Sequence, residues 1–190
     1  VFNGQDSVMT MYHDPILWQE GQQLLGEEIK AFFNDSTIDS VQVLRQALSV
    51  ERLDSIHYNQ ITGNEMHTYF RDGEVYLSTS IDNVYVNYFH MGEDSILADM
   101  NRTETTFLKI FLKDRKVDKI WMPAATGSFY PIQLIPADML YVENFAWFDY
   151  VRPVDKHDIF EWRPKKAGSE LKKITRREAP KQKLSNIKKK

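Results

Sequence analysis

The chain has 190 residues, of which 42% are hydrophobic and 13% aromatic, and it contains no Cys. This content supports one folded domain with a core and excludes disulfides and thiolate metal sites. Residues 163–190 carry a charge balance of +10, whereas residues 1–162 carry −13. A nucleic-acid role would have to rest on the basic tail, which has no aromatic residue for base stacking.

The charge balances predict a folded domain over residues 1–162 and a disordered basic tail over residues 163–190. Electrostatic attraction of the tail to an anionic surface is the alternative. No run approaches the roughly 18 apolar residues of a membrane-spanning helix. The sequence begins at Val1 without a signal-peptide pattern, so we expect a targeting segment and upstream repeats to be missing.

Short apolar and alternating runs predict strands from the beginning of the chain. His13-Asp14-Pro15 predicts a turn, because Pro fixes φ and has no N–H for a strand ladder. The predicted order is a strand within 2–12, the turn, a strand at 16–18, a run over 22–33, a turn at 34–37 and a return strand at 38–44.

Residues 41–54 are the only stretch that also suggests a helix. Val41 and Val43 fit a period of two, whereas Val41, Leu44 and Leu48 partly fit a helical period. We favour a strand over residues 41–44, followed by a second strand or an irregular connection. A short helix remains the alternative.

Residues 63–77 predict a β-hairpin, because Asp72-Gly73 supplies the positive φ angles of a tight turn between two β-favouring runs. The pattern recurs at a period of about 40 residues, which favours a stacked β-architecture. The matching positions are Gly26, Ile29, Phe32, Phe33, Asp35 and Ile38, then Gly63, Met66, Tyr69, Phe70, Asp72 and Val75, and more loosely Phe107, Ile110, Phe111, Asp114 and Val117.

The later part of the chain predicts further strands and then an irregular end. From Pro123 onward the sequence no longer shows the pattern of strands and hairpins. One short helical turn is expected over residues 136–140. The aromatic segment within 129–148 is predicted to cap the open end of the stack. The predicted strands are 83–90, 96–101, 105–112 and 117–122.

No catalytic or metal-binding pattern is present. The five His residues form no metal-ligand motif, and neither a nucleophile elbow nor a phosphate-binding Gly loop occurs. Glu27 and Glu28 are adjacent, so alternation would point them to opposite faces of a strand. We therefore predict that the protein is not an enzyme and needs no cofactor or metal.

A repeated apolar face is the feature that suggests a function. It is either a plain hydrophobic core or a slot between sheets that admits acyl chains, and the pattern alone does not separate the two. The candidate lipid-binding residues on this predicted face are Ile29, Phe33, Met66, Phe70, Val75, Leu77, Phe107 and Phe111.

Two segments of the chain stand out as motifs, Tyr-His-Asp-Pro-Ile-Leu-Trp at 12–18, followed by Gly21, and Asn-Gln-Ile-Thr-Gly at 59–63. Both resemble segments of the OstA-like (LptA) family of periplasmic lipopolysaccharide-transport proteins. Phe145-x-Trp147 is similar to the end of the family's domain. The resemblance covers roughly residues 5–164 and is weak in the third repeat, where Arg102 replaces the hairpin Gly.

The resemblance implies an all-β fold, a β-jellyroll or folded-over "β-taco" of consecutive antiparallel hairpins. It implies a periplasmic protein, or one on the periplasmic face of the outer membrane, that holds the lipid A part of lipopolysaccharide in an apolar groove. Expected partners are lipopolysaccharide, other transport proteins through edge-to-edge β-pairing, and a second copy of the chain. The alternative is an interaction module that pairs through its sheet edges without binding lipid.

Overall fold

The structure is a computed structural model and describes residues 2–3, 7–19, 21–35, 37–93, 96–155, 157–158, 161 and 163–166. Antiparallel β-sheet makes up nearly all of its regular structure, which confirms the all-β prediction. The strands are Phe2–Asn3 (β1), Val8–Tyr12 (β2), Ile16–Gln19 (β3), Gln22–Leu25 (β4), Glu28–Phe33 (β5), Ile38–Arg52 (β6), Tyr58–Arg71 (β7), Glu74–Met91 (β8), Leu97–Lys113 (β9), Lys116–Trp121 (β10) and Ala125–Pro131 (β11).

The predicted hairpins are present, and they follow one another along the sheet. Strands β7 and β8 meet at Asp72 and Gly73, which have φ angles of 53° and 80°. Strands β9 and β10 turn at Asp114 and Arg115, with φ angles of 51° and 60°. The main path through the sheet is β1-β2-β5-β6-β7-β8-β9-β10, so consecutive hairpin strands lie side by side.

Strands β6 and β8 are each bent in the middle by two successive residues with positive φ. These are Arg45 (60°) and Gln46 (52°) in β6, and Asp82 (54°) and Asn83 (52°) in β8. The pairing register shifts at the same places. Because a positive φ redirects the strand locally, each of these long strands contributes to two parts of the sheet.

The bends fold the single sheet into two walls. Strands β5 and β4 pair with opposite halves of β6, and β10 and β11 pair with opposite halves of β9. The prediction of a folded-over antiparallel sheet is thus confirmed. We call residues 8–12, 28–33, 38–44, 65–71, 74–81, 107–113 and 116–121 the first wall, and residues 16–19, 22–25, 47–52, 58–63, 84–91, 97–105 and 125–131 the second wall. The inner face of each wall is the side turned toward the other wall.

Arg45 anchors the bend of β6 by binding both Glu27 and Glu28. Its Nε donates to Glu27 Oε2 at 3.0 Å and its Nη2 donates to Glu28 Oε2 at 2.8 Å. The two carboxylates converge because Glu27 precedes β5, so strand alternation does not separate them, and the prediction of opposite faces is wrong. The hydrogen bond from Arg45 is the main cause that lowers the pKa of Glu28.

Residues 41–52 belong to β6 and residues 53–54 follow it, so the helix alternative is wrong. The helix-like spacing of its apolar residues arises because the two residues of the bend interrupt the alternation. Strand β11 corrects the prediction that the chain is irregular after Pro123. It pairs with β9 at the edge of the second wall, where Pro131 is tolerated because one side of an edge strand makes no ladder bonds.

The aromatic segment packs across the outer face of the second wall, so the prediction of a cap over the open end is wrong. We call residues 139–148 the strap. Trp147 contacts Trp18 and Tyr58 with ring centroids 5.3 and 5.4 Å apart, and Phe148 is 1% exposed. The expected helical turn at 136–140 is a single turn closed by a hydrogen bond from Met139 N to Pro136 O.

Three buried amide side chains and one Arg on the outer face hold the backbone of the strap. Gln23 Nε2 donates to Ala146 O at 2.9 Å and Gln60 Nε2 donates to Leu140 O at 2.9 Å. The Gln oxygens accept from Phe148 N and Val142 N, both at 2.8 Å. Asn87 Nδ2 and Arg102 Nη1 donate to Met139 O at 3.1 and 2.8 Å. The strap is thus bound to the wall much as an added strand would be, although its partners are side chains.

The first residues of the predicted tail contact the domain. Lys165 Nζ donates to Asp14 O at 2.9 Å, and Lys166 N donates to the Tyr150 hydroxyl at 2.9 Å. Residues 167–190 lie outside the described part of the chain, so the disordered tail stays a prediction.

Gly63 lies between the bends of β6 and β8, on the line along which the sheet folds, which we call the fold line. We expect its replacement by Ala to destabilise the protein by about 1–3 kcal/mol. An added Cβ would lie 3.0 Å from Glu65 O and 3.3 Å from Ile81 O, which are backbone atoms held by strand pairing. Gly21→Ala is the matched control, because its Cβ would meet nothing within 4 Å. Urea unfolding measures the free energy of unfolding of both variants. Equal stability of the two would contradict the close packing at the fold line.

Candidate functional site

The space between the walls is filled where β2 and β5–β7 form the first wall. Ile29 and Val43 are fully buried and Met66 is 3% exposed. Leu17 and Leu24 from the second wall pack against them. This end is therefore a hydrophobic core in which each buried side chain contributes about 1.5–3 kcal/mol.

Five of the eight candidate lipid-binding residues lie on the inner face of the first wall. Ile29 and Met66 belong to the buried core, and Phe33 and Phe70 pack against it while remaining partly exposed. Val75 shares the face of Phe70, because the two are register partners. The structure therefore brings these five together, with the aromatic residues near the hairpin turns.

Leu77 lies on the outer face of the first wall, so the prediction that it points inward is wrong. Val75 pairs with Phe70, but Leu77 pairs with Tyr69, which is on the opposite face. The extra residue, Tyr76, forms a β-bulge between the two pairs. A bulge reverses the alternation beyond it, and the sequence gives no direct sign of one here.

Phe107 and Phe111 also lie on the outer face, contrary to the prediction. Met66 pairs with Ser80, which pairs with Leu108, so Leu108 and not Phe107 shares the face of Met66. Matching Phe107 to Met66 introduces an offset of one residue between the copies, which exchanges the two faces of a strand. Met66 precedes Asp72 of its turn by six residues, and Leu108 precedes Asp114 of the next turn by the same six. Alignment on the turn Asp would therefore have identified Leu108 correctly.

The inner face is open at the end formed by β8–β11. Here Ile120 and Val117 of the first wall are 52% and 54% exposed, and Tyr88 and Phe129 of the second wall are 47% and 67% exposed. Register places Ile120 opposite Ile110, on the face of the core. The candidate groove residues that the sequence prediction missed are Ile110, Leu112, Val117, Ile120, Tyr88 and Phe129, and Leu108 lies buried on the same face.

A polar rim borders this open end on the second wall. His90 Nδ1 lies 2.7 Å from Asp99 Oδ1, and the His90 ring stacks on Phe129 with centroids 6.0 Å apart. Thr103 donates to Asn101 Oδ1 farther along the same face of β9. We call the space between the walls at β8–β11 the groove. Its apolar floor and polar rim suit a ligand that has an apolar part and a hydrophilic part.

A separate cleft of about 280 Å³ lies beside the strap on the outer face of the second wall. It is lined in part by Tyr85, Arg102, Glu104 and Asn144 and contains none of the candidate lipid-binding residues. Within the described residues, no group of three or more His, Asp or Glu side chains could hold a metal ion. In the same part of the chain, no helix is long and apolar enough to span a membrane.

The titratable group with the largest pKa shift is outside the groove. Burial raises the pKa of Asp54, but hydrogen bonds from the His57 ring and from the backbone N–H groups of Ile56 and His57 lower it to about 2. Asp54 therefore stays ionised at neutral pH and holds the turn between β6 and β7. Its role is structural.

Comparisons with known proteins give one distant structural similarity. No family model and no curated protein matches the chain. Among solved structures, the chain is similar to LptH from Pseudomonas aeruginosa, described as the LptA homologous periplasmic component of a lipopolysaccharide transport device. The identity is 12%, the TM-score is 0.47, and the match covers 68% of this chain and 87% of that one. LptH is thus a homologue within the family that the sequence resembles, and a likeness at this distance carries no argument about function.

The adjacent residues Leu108 and Phe107 test which face of β9 is internal. We expect Leu108→Ala to lower the free energy of unfolding by about 2–4 kcal/mol, because Leu108 is 2% exposed. Phe107→Ala should cost no more than about half as much, since that ring is only partly buried on the outer face. Denaturant titration measures both variants, and a larger loss for Phe107→Ala would contradict the assignment of faces.

Proposed function

We propose that the protein is a non-enzymatic periplasmic component of lipopolysaccharide transport or outer-membrane assembly, which shields lipid acyl chains in the groove. The observation that carries the proposal is the division of one continuous apolar face into a filled end and an open end. The filled end stabilises the fold without a ligand. The open end leaves Val117, Ile120 and Phe129 exposed on inner faces, where water-exposed apolar surface is unfavourable.

The geometry suits the lipid A part of lipopolysaccharide as cargo. Acyl chains would lie against Ile110, Ile120 and Val117 on the first wall, while sugars and phosphates would stay at the rim near His90 and Asn101. Phe70 and Val75 would contact the chains where the filled core meets the hairpin turns. The contribution of Ile29 and Met66 would be indirect, because these buried side chains support the floor of the groove.

The unpaired sides of the edge strands support the proposed β-pairing with other transport proteins or a second copy. Among the described strands, β10 pairs with β9 alone, and its side chains are exposed along its whole length. An exposed edge can accept an added strand through main-chain hydrogen bonds. The same observation favours the second candidate function, an interaction module that pairs through β10 without carrying lipid.

Photo-crosslinking distinguishes the two functions. A benzoyl-phenylalanine probe at Phe70, Ile110 or Ile120 should give covalent adducts with lipopolysaccharide, because acyl chains would lie within reach of the inner face. The matched control is the probe at Glu104, an exposed position on the outer face of the second wall. Adducts are measured by gel shift and mass spectrometry.

The proposed transport role fails if the three inner positions give no lipid adduct, or no more than Glu104 gives. Protein–protein adducts in place of lipid adducts, with a probe at Lys116, would support the edge-pairing function. Thermal unfolding of each labelled chain confirms that the probe has not disrupted the sheet.

A further inference from the structure

We propose that the outer face of the first wall binds the surface of an anionic lipid bilayer. The residues that were expected inside, Leu77, Phe107 and Phe111, form an apolar patch on this face. Register places Tyr69, Leu77, Phe111 and Lys119 in one row across β7–β10, and Thr79, Lys109 and Trp121 in the next. We call Tyr69, Tyr76, Leu77, Phe107, Phe111 and Trp121, together with Arg71, Lys109, Lys113, Lys116 and Lys119, the aromatic–basic face.

Cationic groups lie directly over the aromatic rings of this face. Lys109 Nζ is 5.5 Å from the centroid of Phe107 and 5.8 Å from that of Trp121, and the two rings meet edge to face at 5.7 Å. Arg71 lies 4.5 Å above the Tyr76 ring. Long basic side chains beside Trp and Tyr are typical of surfaces at the level of lipid headgroups, where the rings meet acyl chains and the cations meet phosphates.

Among the described residues, the aromatic–basic face has no cover of the kind that the other outer face has. The strap buries the outer face of the second wall in a hydrophobic cluster with Leu25, Leu48 and Val50. Neither described hydrophobic cluster includes a residue of the aromatic–basic face. Trp121 is 45% exposed. The first wall has apolar side chains on both faces, and its inner face already faces the second wall. An exposed apolar patch on the other face is typical of a surface that binds a partner.

Charge identifies that surface as anionic. Residues 1–162 balance at −13, yet five cations gather around this patch, whereas Glu65 and Glu74 are the two acidic residues on its pairing rows within β7–β9, and Glu74 is already paired with Arg115. The basic tail of this chain would be repelled as a cover and would itself be attracted to anionic lipid. Each Lys or Arg near such a bilayer strengthens binding about fivefold. The proposed bilayer-binding face is therefore separate from the groove, which is proposed to hold single lipid molecules.

Vesicle flotation tests the proposal with the full chain and with no lipopolysaccharide present. The chain should bind vesicles of phosphatidylcholine mixed with phosphatidylglycerol, and should bind pure phosphatidylcholine vesicles weakly or not at all. Lys109→Gln combined with Lys119→Gln should weaken binding by about tenfold or more. Trp121→Ala should weaken it as well, because the ring that enters the headgroup layer is lost. Circular dichroism melts confirm that the variants fold.

Leu134→Ala is the control for Trp121→Ala, since Leu134 is a large apolar side chain that is 70% exposed and lies outside both the groove and the aromatic–basic face. The Leu134→Ala variant should bind anionic vesicles as well as the original chain does. The proposal is overturned if the Lys variant binds as well as the original chain, if Leu134→Ala loses binding while Trp121→Ala keeps it, or if neutral vesicles bind equally well. A dimer that dissociates in the Lys variant, without vesicle binding, would instead identify the face as a protein interface.

Discussion

The bend that runs across the sheet is the constraint on which the rest of the structure depends. Two successive positive φ angles at Arg45 and Gln46, and two at Asp82 and Asn83, turn the long strands toward each other. Gly63 lies between the two bends, where a side chain would meet the neighbouring backbone. Because the sheet folds along this line, one of its faces becomes an interior. Without the bend, the same strands would form an open sheet with no groove.

The apolar faces of the folded sheet differ in how they are covered. The inner face packs on itself around Ile29 and Val43 and is left open at β8–β11. The outer face of the second wall is covered by the strap, which Gln23 and Gln60 hold through its backbone. The outer face of the first wall keeps its aromatic and basic side chains exposed in part. Two uncovered apolar surfaces in one domain are consistent with two distinct contacts with lipid.

Local patterns predicted the hairpins well, because Asp72-Gly73 is a turn signal that acts within a few residues and Asp114 occupies the matching place in the next copy. The direction of side chains was predictable only as far as the alternation was unbroken. The bulge at Tyr76 and the one-residue offset at Phe107 each reversed it, so three of eight candidate residues fell on the wrong face. The binding site of the strap depends on contacts more than 50 residues apart in the chain, such as Asn87 with Met139, which no local pattern reveals.

The central claim is that the acyl chains of a single lipid molecule enter the groove along the inner face of the sheet. Nuclear Overhauser effects between a short-chain lipid A analogue and isotope-labelled Ile methyl groups test it most directly. Cross-peaks from acyl-chain protons should appear at Ile110 and Ile120 and be absent at Ile81, which pairs with Phe107 on the outer face. Cross-peaks at Ile81 with none at Ile110 and Ile120 would contradict the account.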